Sequence, residues 1–161
     1  VWAWRKYRIY SIKKVMHHLF CVFPHDPKIY KKINHPSSFV GHSLASTIPY
    51  RPNVNKSRAK LKVDGKRKVI GLLPGSREHE IKYLLDLMLD SAELISNKID
   101  CEFLISASNN YNYIKIKNAL FKYKIPKIRL IIGHSHDLIN ASDILLCASG
   151  TVTLELSLIH I

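Results

Sequence analysis

The chain has 161 residues, about one domain's length, and 47% of them are hydrophobic, so it has enough apolar surface to fold and is not a disordered tract. Its formal net charge of +13 sits at one end: residues 1–68 hold sixteen Lys and Arg against two acidic residues, while residues 69–161 hold nine against ten. No apolar run approaches the roughly 18 residues a membrane-crossing helix needs, which excludes a helical integral membrane protein from the sequence as it stands.

The opening residues, Val1-Trp2-Ala3-Trp4-Arg5-Lys6, lack the charged-then-apolar order of a secretory signal and read as the interior of a longer chain. Trp4–Val15 is a basic helix candidate. Its mixture of Trp2, Trp4, Arg5 and Lys6 suits three settings: a membrane surface, single-stranded nucleic acid, or a solvated helix whose rings pack on the domain. Leu19–Phe23 reads as a short strand closed by Pro24, Asp26–Ile33 as a helix with Pro27 in its first turn, and Phe39-Val40-Gly41 as a strand end. From Ser46 to Lys68 the composition shifts to Pro, Asn, Ser and Lys without apolar periodicity, the mark of a linker. The predicted organisation is therefore an incomplete first domain over 1–45, a linker over 46–66 and a second domain over 67–161.

The second domain alternates regularly. Arg67–Leu73 is a continuous apolar run of the kind a strand buried on both faces requires. Ile81, Leu84, Leu85, Met88, Ala92 and Ile95 then form one stripe on a helix over Glu78–Lys98. Cys101–Ala107, Ile128–Ile132 and Ile144–Ala148 are further strands, separated by helices over Tyr111–Tyr123 and His136–Ala141, and another helix opens at Ser149-Gly150-Thr151. This alternation predicts an α/β, Rossmann-like parallel sheet. Cys21, Cys101 and Cys147 are widely spaced and odd in number, which reads as free thiols in a reducing compartment.

Two turns carry the chemistry. Pro74-Gly75-Ser76-Arg77 follows a parallel strand at the end where open α/β sheets bind ligands. Glycine allows close approach, helix N–H groups attract anions and a guanidinium forks onto phosphate, so a diphosphate suits this turn. An ordinary strand-to-helix turn with a solvated Arg has the same sequence. Ala148-Ser149-Gly150-Thr151 repeats the design after the last strand, and Glu155 lies about one helical turn further on. A carboxylate there is suited to a ribose diol, although it equally suits a residue that merely complements the helix dipole. The nine His lack zinc spacing, and neither a G-x-S-x-G elbow nor a convincing carboxylate pair is present. No metal or other cofactor is expected.

Val1-Trp2-Ala3-Trp4-Arg5, Phe23-Pro24 with Tyr30, Phe39-Val40-Gly41-His42-Ser43-Leu44-Ala45, Leu72-Leu73-Pro74-Gly75-Ser76-Arg77 with Glu80-Ile81, and Ala148–Glu155 occur in that order. Together they closely resemble the lipid-A-disaccharide synthases, GT-B glycosyltransferases of lipid A biosynthesis. The resemblance implies transfer of diacylglucosamine, with inversion, from UDP-2,3-diacylglucosamine to 2,3-diacylglucosamine 1-phosphate (lipid X). It implies a cytoplasmic enzyme, peripheral on the inner membrane, that does not engage nucleic acid. By the same resemblance Arg77 binds the diphosphate, Gly75, Ser76, Ser149, Gly150 and Thr151 cradle it, Glu155 holds the ribose, and Trp2, Trp4, Arg5 and Lys6 face the membrane and acceptor. It places the general base upstream of Val1, so this stretch alone is expected to be inactive. The chain departs from the family at Ser43 and Ser46, where Pro and Asp are usual, implying a looser turn, and Ser157–Ile161 do not match the expected continuation. The other readings are a different UDP-sugar GT-B enzyme, such as a UDP-N-acetylglucosamine transferase or epimerase, and a basic lipid- or nucleic-acid-binding module.

Overall fold

A computed structural model describes residues 5–47 and 53–160. The chain divides into two compact units, Val1–Thr47 and Ile48–Ile161.

The first unit contains α1 (Arg8–Val15), β1 (Leu19–Cys21), α2 (Asp26–Lys31), β2 (Ser37–Phe39) and α3 (Leu44–Thr47). β1 and β2 pair in parallel, Leu19 opposite Ser37 and Cys21 opposite Phe39, so the strand, helix and strand form one βαβ step. Cys21, Tyr30 and His35 are buried at its centre. α1 begins at Arg8 within the expected Trp4–Val15, of which Trp4 lies outside the described residues; it buries no residue, and Lys13 ties it to the α2–β2 turn by donating to the Ile33 carbonyl at 2.6 Å. Around Gly41, whose φ is +80°, the turn is closed locally: the Leu44 N–H donates to His42 Nδ1 and the Ser46 hydroxyl to the Ser43 carbonyl. The Ser46 side chain thus closes the turn onto a backbone carbonyl.

The second unit is a four-stranded sheet in the order β5-β4-β3-β6, with every pairing parallel. Its elements are α4 (Val54–Lys60), β3 (Lys68–Leu73), α5 (Glu78–Ser96), β4 (Cys101–Ala107), α6 (Asn110–Leu120), β5 (Ile128–Ile132), α7 (Ser135–Ala141), β6 (Ile144–Cys147) and α8 (Thr151–His160). β3 runs apolar because both faces are covered. Ile70 and Leu72 join Phe103 and Ile105 of β4, Ile81, Leu85 and Leu89 of α5 and Ile116 of α6 in one core cluster. On the other face Leu138 and Ile139 of α7 are fully buried. Each such side chain contributes roughly 1.5–3 kcal/mol, so this packing rather than helix propensity holds the unit together. α7 lies close against β3 because Gly71 has no side chain: a Cβ there would stand 2.4 Å from Leu145 Cδ2 and 2.8 Å from Leu138 Cδ2.

The stretch 46–66, expected as a linker, holds α4, which is part of the second unit. Asn53 caps it by accepting from the Lys56 N–H at 2.9 Å, and polar groups anchor it. Ser57 and Lys60 reach Asp137, while Arg58 donates to the Ala141 carbonyl at 3.1 Å and to Asp143 at 2.8 Å. Asp143 also accepts from the Val69 N–H, so one carboxylate joins α4, β3 and the start of β6. Its pKa lies below the usual carboxylate value because these donors outweigh burial, the largest single influence and one that acts in the opposite direction.

Candidate functional site: the cleft where strand order reverses

Chain order places β4 on one side of β3 and β6 on the other, so the connections diverge at the carboxyl ends of β3 and β6. That divergence opens the crevice in which parallel α/β sheets bind ligands. A cleft of about 300 Å³ lies there. All seven residues singled out from the two turns line it: Gly75, Ser76, Arg77, Ser149, Gly150, Thr151 and Glu155. The ends of β4 and β5 and the residues just after them add Ser106, Ser108, Gly133 and Ser135, which no motif had marked; their position at a strand's carboxyl end was the available signal.

The first turn is not the open cradle its sequence suggested. Gly75 has φ +107°, and a Cβ there would stand 2.4 Å from Glu80 Oε2. That oxygen accepts from the N–H groups of Ser76 at 3.0 Å and Arg77 at 3.1 Å, while Glu80 Oε1 accepts from Arg77 Nη1 at 2.8 Å. The amides expected to be free for an anion are therefore already taken by a carboxylate one helical turn away. The N–H of Arg77, then its side chain and the N–H of Ser76, hold Glu80 below the usual carboxylate range against a smaller opposing effect of burial. Arg77 itself is 66% exposed, so its guanidinium remains accessible to a ligand.

Asn112 fixes the same turn from the other side. It is 2% exposed, and its Nδ2 donates to the Ser76 carbonyl at 3.0 Å and to Ser108 Oγ at 2.7 Å. Asn109 caps α6 by accepting from the Asn112 N–H, which sets where that side chain sits. Asn112 was missed because a lone Asn in a helix has no pattern; its role depends on a contact 36 residues away in sequence.

The second turn is open. A Cβ on Gly150 would meet nothing within 4 Å. The hydroxyl tied into it, among the described residues, is that of Thr153, which donates to the Gly150 carbonyl at 2.6 Å, rather than Ser149 or Thr151. α8 starts at Thr151 beside the cleft, and Glu155 lies 3.5 Å from His136 Nε2 on α7. The cleft thus joins one exposed guanidinium, a helix N-terminus and a carboxylate, a set suited to an anion linked to a hydroxyl-bearing group.

A sequence model described as "Lipid-A-disaccharide synthetase" matches residues 1–161. The chain belongs to the lipid-A-disaccharide synthetase family. It is 40% identical over 160 residues to the lipid-A-disaccharide synthase of Alteromonas mediterranea, covering 96% of this chain and 42% of the relative. With that of Methylobacillus flagellatus it shares 35% over 163 residues, 99% of this chain and 43% of the relative. With that of Nitrosococcus oceani it shares 36%, covering all of this chain and 42% of the relative. The chain spans about two fifths of the length of the curated relatives it matches.

The parallel α/β architecture of this lipid-A-disaccharide synthetase family member is consistent with a Rossmann-like GT-B glycosyltransferase. Among its described residues no group of three or more His, Cys, Asp or Glu is placed to hold a metal ion, and no helix is long and apolar enough to cross a membrane. Arg5 and Lys6 are exposed, whereas Trp2 and Trp4 lie outside the described residues. Cys21 and Cys101 are buried, Cys147 is partly exposed, and all three are free thiols. Burial raises their pKa values, most directly disfavouring the thiolate.

Proposed function

We propose that the cleft binds the uridine diphosphate portion of a UDP-sugar. The whole protein then transfers 2,3-diacylglucosamine from UDP-2,3-diacylglucosamine to 2,3-diacylglucosamine 1-phosphate, with inversion, forming lipid A disaccharide 1-phosphate and UDP. The observation that carries this reading is the convergence of Gly75–Arg77 and Ser149–Thr151 with Glu155 on one cleft at the strand-order reversal, in a chain matched along its full length by the family.

The chemistry follows from the residues. Breaking the bond to the departing UDP places negative charge on the diphosphate, and a fixed guanidinium together with helix N–H dipoles stabilises charge that develops there. Arg77 donates to the phosphates, the start of α8 presents backbone N–H groups, and Glu155 accepts from the ribose hydroxyls. Ser76, Ser149, Gly150 and Thr151 bound the space between them, with Gly75 allowing the turn its shape. The general base that activates the acceptor hydroxyl lies outside the cleft described here. Exposed Arg5 and Lys6 and the basic balance of residues 1–68 suit a peripheral position on the anionic cytoplasmic face of the inner membrane, where the acylated substrates reside.

Calorimetric titration of the chain with UDP, UMP and uridine tests this. UDP is expected to bind more tightly than uridine; Arg77→Ala removes roughly 1.5–3 kcal/mol from UDP binding alone, and Glu155→Ala weakens all three ligands. Equal, unchanged affinities in both variants would sink the site assignment.

A further inference from the structure

The Gly75-Ser76-Arg77 turn contains a contradiction with its own sequence: it looks like a phosphate cradle, yet its amides are filled by Glu80. A ligand phosphate can reach those amides only by expelling a carboxylate held by two backbone N–H groups and a guanidinium nitrogen. Such charge-assisted bonds are about twice as strong as neutral ones. Glu80 is also built into its place. Its side chain is 15% exposed, and Gly75 is the residue that makes room for it, since any Cβ there would stand 2.7 Å from Glu80 Cβ. Asn112 holds the turn's carbonyl side at the same time. The turn is therefore shaped from within the protein before any ligand arrives, and what it offers outward is the guanidinium.

We propose that Glu80 is a positioning residue of the diphosphate cleft: its carboxylate occupies the Ser76 and Arg77 amides and one arm of Arg77, and so aims the guanidinium at the phosphates. The phosphates are then gripped by the remaining N–H groups of Arg77 and by the start of α8, not by the amides of the 75–77 turn. Of the guanidinium's five N–H donors, Glu80 engages Nη1, which leaves donors on the other nitrogens for a phosphate. The inference rests on the reading of this cleft as a UDP site. It differs in sign from two simpler views. If Glu80 were a plug competing with the ligand, or if only local net charge mattered, neutralising it would tighten UDP binding.

The test uses Glu80→Gln, which keeps size and one acceptor oxygen, with Arg77→Ala and the double variant, in the full chain. Calorimetry gives Kd for UDP and for uridine, and thermal melting confirms that each variant is folded. The expected result is a loss of about tenfold in UDP affinity with uridine unchanged, and no further loss when Glu80→Gln is added to Arg77→Ala. Tighter or unchanged UDP binding in Glu80→Gln overturns the proposal, as does an equal loss for UDP and uridine, which would make Glu80 a support of the whole cleft only. An unsubstituted chain that fails to bind UDP overturns the cleft reading, and with it this one. A second readout uses backbone amide shifts: the Ser76 and Arg77 N–H resonances should follow Glu80 titration with UDP absent or bound. Loss of that dependence on adding UDP would show the carboxylate displaced and the proposal wrong.

Discussion

The two turns that frame the cleft look alike in sequence, each a strand ending in a small polar segment with one glycine before a helix, and they are built in opposite ways. The turn after β3 is filled: Glu80 occupies its amides, Asn112 its Ser76 carbonyl, and Gly75 has a left-handed backbone with no room for a Cβ. The turn after β6 is open, with space around Gly150 and the first residues of α8 facing the cleft. One turn fixes a cation; the other presents a helix end. A site with this division has its charge preorganised on the first side and its space on the second, so substitutions should act very differently at equivalent positions.

The largest contrast is expected between the two glycines. Gly75→Ala forces both a disfavoured φ and a 2.4 Å contact with Glu80 Oε2, which should destabilise the fold by roughly 2 kcal/mol or more. Gly150→Ala enters open space and should stay within about 0.5 kcal/mol of the unsubstituted chain. Urea denaturation of the two variants reads the difference directly, and equal losses would mean that the turns are not built in opposite ways.

A smaller effect is expected at Asn112. Replacement by Ala removes both Nδ2 bonds of a buried amide, those to the Ser76 carbonyl and the Ser108 hydroxyl. A loss of roughly 1–2 kcal/mol follows from the two hydrogen bonds given up. Because the loss falls on the filled turn, UDP affinity should drop with it, while Thr153→Ala on the open turn should leave UDP affinity nearly intact. If Thr153→Ala proves the more harmful, the open turn is the more constrained of the two.

The sheet was legible because a strand covered on both faces, as β3 is, runs apolar: β3 (Lys68–Leu73) lies within the predicted Arg67–Leu73, and β4 and β5 lie where Cys101–Ala107 and Ile128–Ile132 were predicted. α5 likewise follows its stripe, with Ile81, Leu85, Met88 and Ala92 buried. α4 was not legible, because Ser57, Arg58 and Lys60 hold it through side chains reaching Asp137, Ala141 and Asp143, about eighty residues further on. At the cleft the sequence identified which residues meet, since strand ends in a parallel sheet converge by topology. It did not show that Glu80 fills the first turn. The same Gly-Ser-Arg with a Glu three residues after Arg77 reads equally as an anion site and as a capped helix start, and only the positions of the oxygens distinguish them.

The smallest expected effect lies in acid. Glu80 is held below its ordinary value of 4.5 by the Arg77 N–H and side chain and by the Ser76 N–H, so its folded pKa is depressed. The stability it supplies is therefore fully present above the unfolded pKa and is lost as pH falls through the folded one. Asp137 and Asp143, also lowered, lose theirs in the same acid range, so the whole chain weakens there and Glu80 accounts for only one share. Glu80→Gln removes that share and nothing else that titrates at this turn. Urea midpoints for the two proteins, measured from about pH 6 down to about pH 3, should therefore differ most near neutrality and converge in acid. A gap that stays constant across the range would mean that the amides of Ser76 and Arg77 do not depend on the ionised carboxylate. The first turn would then be closer in kind to the second than its hydrogen bonds indicate.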